Sequence, residues 1–152
     1  MARDLLVSRG YRVALIGGNY PVIDLIATGR EEFRVSVKTS RTKHHVRLGR
    51  DTSVEQLQDN DFVFAFLPAE PNTEIGFEVP HYRLLTIPGG IARNDALAIH
   101  REYLNGKTPS GDKRKNTAGV MVKGYSRKPI HVTTWARWLN YEDCWDLLPA
   151  AV

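Results

Sequence analysis

The stretch PVIDLIATGREEFRVSVKTSR, residues 21–41, decides how this chain is read. It predicts a strand from Val22 to Thr28, a tight return at Gly29-Arg30, and a second strand from Phe33 to Ser40. In the second strand Phe33, Val35 and Val37 face one way, and Arg34, Ser36, Lys38 and Ser40 the other. The first strand carries a single acid, Asp24, and the second an amine, Lys38, with no evident salt-bridge partner for Lys38 nearby in sequence. Charge in a half-buried strand is costly unless it is paired or used. Two strands joined by so short a return set Asp24 and positions 36 and 38 on a shared face.

Outward from this pair, residues 2–9 (ARDLLVSR) predict a short helix stopped by Gly10, and Tyr11–Ile16 a strand by alternation. Thr52-Ser53-Val54-Glu55 has the capping-box pattern and predicts a short helix to about Gln58. Asp61–Leu67 (DFVFAFL) is almost wholly apolar, the signature of a central strand covered on both faces. Further strands are expected at Ile75–Val79 and Tyr82–Ile87, and a helix at Asn94–Leu104. Residues 105–129 read as a basic loop with one short strand at Gly119–Lys123. In the ending TTWARWLNYEDCWDLL, Trp135, Trp138, Tyr141 and Trp145 recur at near-helical spacing, which favours core packing over stacking on bases. The order predicts an α/β (α+β) sandwich, a central mixed sheet flanked by helices, as one domain over residues 1–152.

The chain has 152 residues, 42% hydrophobic, enough for a real core, and no apolar run nears the ~20 residues that span a bilayer. The start, Met1-Ala2-Arg3-Asp4, gives no signal peptide, and lone Cys144 can form no internal disulfide, so a cytoplasmic protein off the membrane is expected. The formal charge is +4. Arg41, Lys43, Arg47 and Arg50 form one basic cluster. Lys107, Lys113, Arg114, Lys115, Lys123, Arg127 and Lys128 form another. Two such clusters flanking a charged strand pair point to phosphate contacts.

The pattern Pro21-Val22-Ile23-Asp24 followed by Val35-Ser36-Val37-Lys38-Thr39 resembles the PD-(D/E)XK nuclease superfamily, the restriction-endonuclease-like fold, and in particular small uncharacterised prokaryotic members. The resemblance is firm over residues 3–41 and extends to Asp61–Leu104. It implies a restriction-endonuclease-like core, Mg²⁺- or Mn²⁺-dependent hydrolysis of DNA, Asp24 and the main-chain carbonyl of Val37 as metal ligands, and Lys38 as the charged catalytic residue. A homodimer would serve to cut both strands. Arg41, Lys43, Arg47, Lys113, Arg114 and Lys115 are expected on nucleic acid. One position departs from the pattern: Ser36 stands where the family has an acid. Three readings are open. Ser36 holds a metal-bound water while Asp4, Glu31 or Glu32 supplies the carboxylate, Asp4 being the best placed by resemblance; the site binds metal weakly; or the fold keeps its DNA groove without the chemistry. An interaction subunit of a phage or defence system, with the basic loop ordering on a partner, is a reading from another class.

Other signals carry less. His44-His45 point to opposite sides of an extended chain and make a poor metal pair, better read as loop residues. Gly106-Lys107-Thr108 lacks the first glycine of a phosphate-binding loop, since Arg101 stands there, and Gly17-Gly18 lacks the rest of a dinucleotide fingerprint.

Overall fold

Strand β3 (Glu32–Thr39) organises the molecule. The computed structural model describes residues 1–18, 20, 22–42, 44–69, 82–116 and 119–152; the strand expected at Ile75–Val79 and the basic residue Lys43 lie outside them. On one side β3 pairs antiparallel with β2 (Leu25–Thr28), which pairs antiparallel with β1 (Arg12–Leu15). On the other it pairs parallel with β5 (Phe62–Pro68), which pairs antiparallel with β6 (Tyr82–Pro88). The result is a five-stranded mixed sheet in the order β1-β2-β3-β5-β6, the mixed α/β class expected from the sequence.

Alternation along the strands sorts side chains into two cores. Phe33 and Val35 of β3 join Leu25, Ala27, Phe62, Phe64 and Phe66 under helix α1 (Ala2–Ser8), whose Leu6 is fully buried. Val63, Ala65 and Leu67 of β5 turn to the other side, with Leu85 and Ile87 of β6. That side is covered by helix α3 (Gly89–Asn105), helix α4 (Pro129–Leu139) and a small antiparallel ribbon of β4 (His45–Gly49) with β7 (Val120–Lys123). Helix α2 (Asp51–Val54) links β4 to β5. The apolar run of β5 is thus a central strand buried on both faces, as its composition predicts.

β2 begins at Leu25 rather than Val22, and α2 ends at Val54, short of Gln58, with no side-chain cap. Three further elements differ from expectation. His45–Gly49 is a strand: Val46 and Leu48 point into the core with Val122 and Val120 of the facing strand, while Arg47 faces out. Helix α3 begins at Gly89, five residues early. Its backbone approaches the turn before β5 so closely that a Cβ on Gly89 would overlap the Gln58 carbonyl, and its N–H donates to the Asp61 carbonyl at 2.7 Å. Glycine here permits the close approach. The aromatic stripe also breaks. Trp135 and Trp138 are buried on α4 with Tyr141 packed beside them, whereas Trp145 sits on a separate 3₁₀ turn (Trp145–Leu147), edge-on to Phe64 in the opposite core.

The polar face of β3 needs a partner inside the fold, and Arg34 finds one. Its Nε and Nη2 donate to the Asp61 carboxylate at 2.7 and 2.6 Å, and the Gln58 N–H donates to the same group at 2.7 Å. Asp61 is fully buried. Removing the guanidinium strands a buried carboxylate, so Arg34→Ala should destabilise the protein by about 3 kcal/mol, read from its urea unfolding midpoint.

Candidate active site

The ladder between β2 and β3 ends at Leu25↔Val35. One step further, the Asp24 N–H still donates to the Val35 carbonyl (2.9 Å) and the Asp24 carbonyl accepts from Ile16 N–H (3.0 Å). Then the chain leaves: Val22 and Ile23 turn into the second core. The next N–H along that edge, of Val37, donates to the carboxylate Oδ2 of Asp24 at 2.6 Å. A side chain has taken the place of a backbone acceptor and fixed the carboxylate at the frayed edge. Because a strand residue aims its N–H and C=O to the same side, the Val37 carbonyl lies along this edge too.

Lys38 is on the face of β3 that carries Arg34 and Ser36, level with Ala65 of β5. Burial pushes its ammonium below the usual lysine value, and the charge of Asp24 acts in the opposite sense. Asp24, one step beyond Leu25↔Val35, stands opposite Ser36, so the acid and the amine lie on one face of the strand pair. Between them in register, Ser36 is fully buried, and its Oγ has no hydrogen-bond partner among the described residues.

The acids that could replace the one missing at position 36 are elsewhere. Asp4 sits on α1, which packs on the opposite face of the sheet, and its exposed carboxylate binds the chain's own N-terminal ammonium at 2.9 Å. That corrects its assignment as a ligand: a helix of two turns shows its apolar stripe in sequence but not which sheet face it will cover. Glu31 and Glu32 are exposed at the β2–β3 turn. Glu32 pairs with Thr28, six residues from Lys38 and so about 20 Å away along the strand. Among the described residues no three His, Cys, Asp or Glu side chains gather as a metal cluster.

A divalent ion of the Mg²⁺ kind keeps several waters and needs only one or two carboxylates besides ligand phosphates. Asp24, exposed and with one oxygen not engaged by Val37, together with the neighbouring carbonyl, fits that minimal set. Of the basic residues, Arg41 is exposed directly after β3, and Arg47 is exposed on β4, its guanidinium against Gly119. Lys113 and Lys115 are exposed on the turn after α3, and Arg114 lies over the Tyr103 ring at 4.5 Å, which directs that group to α3. Sequence reasoning missed the hydrogen-bonded chain from buried His100 through exposed Asn116 (2.8 Å) to Asp51 (2.7 Å), because residues so distant in sequence leave no local signal.

No family model and no curated protein matches this chain. Among solved structures it is similar to Hjc, a Holliday junction resolvase from the archaeal hyperthermophile Archaeoglobus fulgidus, with 21% identity, 59% of this chain and 70% of that one covered, and a TM-score of 0.39. The overlap is partial, and the chemistry of the site rests on this chain's own residues. None of its described helices is long and apolar enough to cross a membrane.

The depressed lysine has a consequence for stability. Its folded value lies below the ordinary 10.5, so between the two the unfolded chain holds the extra proton and stability rises with pH; below that window the buried ammonium is a constant cost. Lys38→Met should therefore raise stability at pH 7 by roughly 0.5–2 kcal/mol. The gain should shrink as pH approaches the window's upper end, in denaturation curves recorded across that range.

Proposed function

We propose that the protein is a metal-dependent endonuclease of the PD-(D/E)XK type that hydrolyses phosphodiester bonds in DNA. The observation that carries this reading is the convergence of Asp24 and Lys38 at the frayed β2–β3 edge, on a strand pair whose sequence resembles that superfamily. Asp24 and the Val37 carbonyl would hold Mg²⁺ or Mn²⁺, which when bound supplies charge neutralisation and a more acidic water. Lys38, partly desolvated, donates to phosphate oxygens where negative charge develops, and its incomplete solvation makes that interaction stronger than it would be in water. Arg41 and Arg47, both exposed, contact the strand backbone on either side. Two copies of the chain, each cutting one strand, would account for a double-strand break.

A second reading, a catalytically silent DNA-binding module on the same fold, is favoured by one observation: Ser36 is buried where an acid would be needed, and no second carboxylate joins Asp24 among the described residues.

Cleavage of labelled linear and branched DNA in Mn²⁺ and in EDTA separates the two. If the first reading holds, the wild type cuts only with metal, and Asp24→Ala and Lys38→Ala each lose roughly 10²–10³-fold in rate. An inactive wild type that gains metal-dependent cleavage on Ser36→Glu identifies the silent module instead. In either case binding should weaken steeply with salt, as several phosphate contacts require. Weak binding that ignores salt would remove DNA as the partner.

A further inference from the structure

A second polar cleft lies between α3, β7 and the start of α4. It has two adjoining lobes of about 190 and 230 Å³, which share Tyr103, Lys123 and His131 in their walls. His131 is more than nine-tenths buried, at 8% exposure. The backbone N–H of Lys123 donates to its Nδ1 at 3.1 Å. A ring nitrogen that accepts a hydrogen bond carries no proton, so the proton of the neutral ring is on Nε2. No protein acceptor takes that Nε2–H among the described residues. Burial, with Lys123 and Lys128 nearby, holds the ring below the usual histidine value; Glu102 is the acid that opposes them. The ring is a neutral donor, and an Nε2–H cannot ligate a cation.

Cations outnumber the single acid in the rest of the cleft wall, Glu102. Lys128 is exposed at its rim, Lys123 is half-buried in its wall, and Arg114 reaches it over the Tyr103 ring. Helix α4 opens here with no side-chain cap. The N–H groups of His131 and Val132 return to the Lys128 carbonyl, and Pro129 has none, so the Ile130 N–H is the first-turn donor without a protein acceptor among the described residues. Ser126 Oγ accepts from the Lys128 N–H at 3.2 Å, which leaves its own proton free to donate.

We propose that this cleft binds one phosphate group, through the His131 Nε2–H, the open turn of α4 and the cations Lys123, Lys128 and Arg114. The chemistry is common to inorganic phosphate, a terminal phosphate monoester and a strand phosphodiester. The site lies apart from Asp24 and Lys38 and does not rest on the cleavage reading.

The test tracks the His131 ring by long-range ¹H–¹⁵N NMR at constant ionic strength. The protein is titrated with inorganic phosphate, with a 5′-phosphorylated oligonucleotide, and with the same strand lacking that phosphate. Chloride serves as the blank, and the indole N–H of Trp145, on the opposite core, as the internal control. A saturable shift at His131 absent from Trp145 supports the site. Saturation with the first two ligands only assigns it to monoesters; saturation with the bare strand as well assigns it to the backbone. Lys128→Ala, at an exposed position, should weaken binding at least tenfold without disturbing the fold. The proposal is overturned by no saturable shift in any of the three titrations, by shifts that Trp145 shares, or by unchanged affinity in Lys128→Ala.

Discussion

A strand with neighbours on both edges and a core on each face has no room for polar side chains, yet β3 presents Arg34, Ser36 and Lys38 in succession on one of its faces. Each must be accommodated where it stands, because a slip of one residue would send Phe33 and Val35 out of their core. Arg34 is answered by Asp61, which also takes a backbone N–H and is thereby locked in place. Lys38 makes no ion pair among the described residues, and only the charge of Asp24, at the end of the strand where β2 departs, offsets its burial. Ser36, between them, has no answer among the described residues. Apolar residues would suit this row better as packing, so its polarity is a cost in stability that the fold bears.

The frayed edge also limits how far the acid can move. The carboxylate of Asp24 closes the ladder by accepting from Val37, and that backbone belongs to a strand paired along both edges. One oxygen is held and the other has no hydrogen-bond partner among the described residues, so the group is oriented by the fold itself. Preorganisation on a strand in this way is what a site needs if it is to stabilise charge without rearranging.

The β2–β3 pair and β5 were legible in the sequence because each has a pattern with a single geometric meaning: a period of two around a tight return, and a short unbroken apolar run bounded by turn residues. The convergence of Asp24 and Lys38 comes from the same period. What was not legible depends on contacts between distant segments. β4 is hidden because its two inward residues, Val46 and Leu48, sit among basic ones, and only β7, some seventy residues later, completes the ribbon. The early start of α3 depends on a close approach to Gln58 that no local propensity encodes. The position of Asp4 depends on which side of the sheet α1 covers. The tautomer of His131 depends on a backbone N–H from the neighbouring strand, and a lone histidine in a sequence gives no sign of it.

Serine at position 36 can be understood as a solution to a folding problem. The Ser36 side chain is fully buried, and a carboxylate starting there would be partly desolvated beside Lys38 and Asp24. Without a bound cation it would add a second acid to one already present, and the desolvation of such a group costs several kcal/mol. A hydroxyl on a shorter side chain leaves only an unmade hydrogen bond, a penalty of about 1–3 kcal/mol. An acid at this position and the stability of the unliganded fold thus pull in opposite directions. With serine, Asp24 and Lys38 balance in charge and Arg41 tips the neighbourhood positive, which on the proposed reading attracts a phosphodiester before any cation is bound.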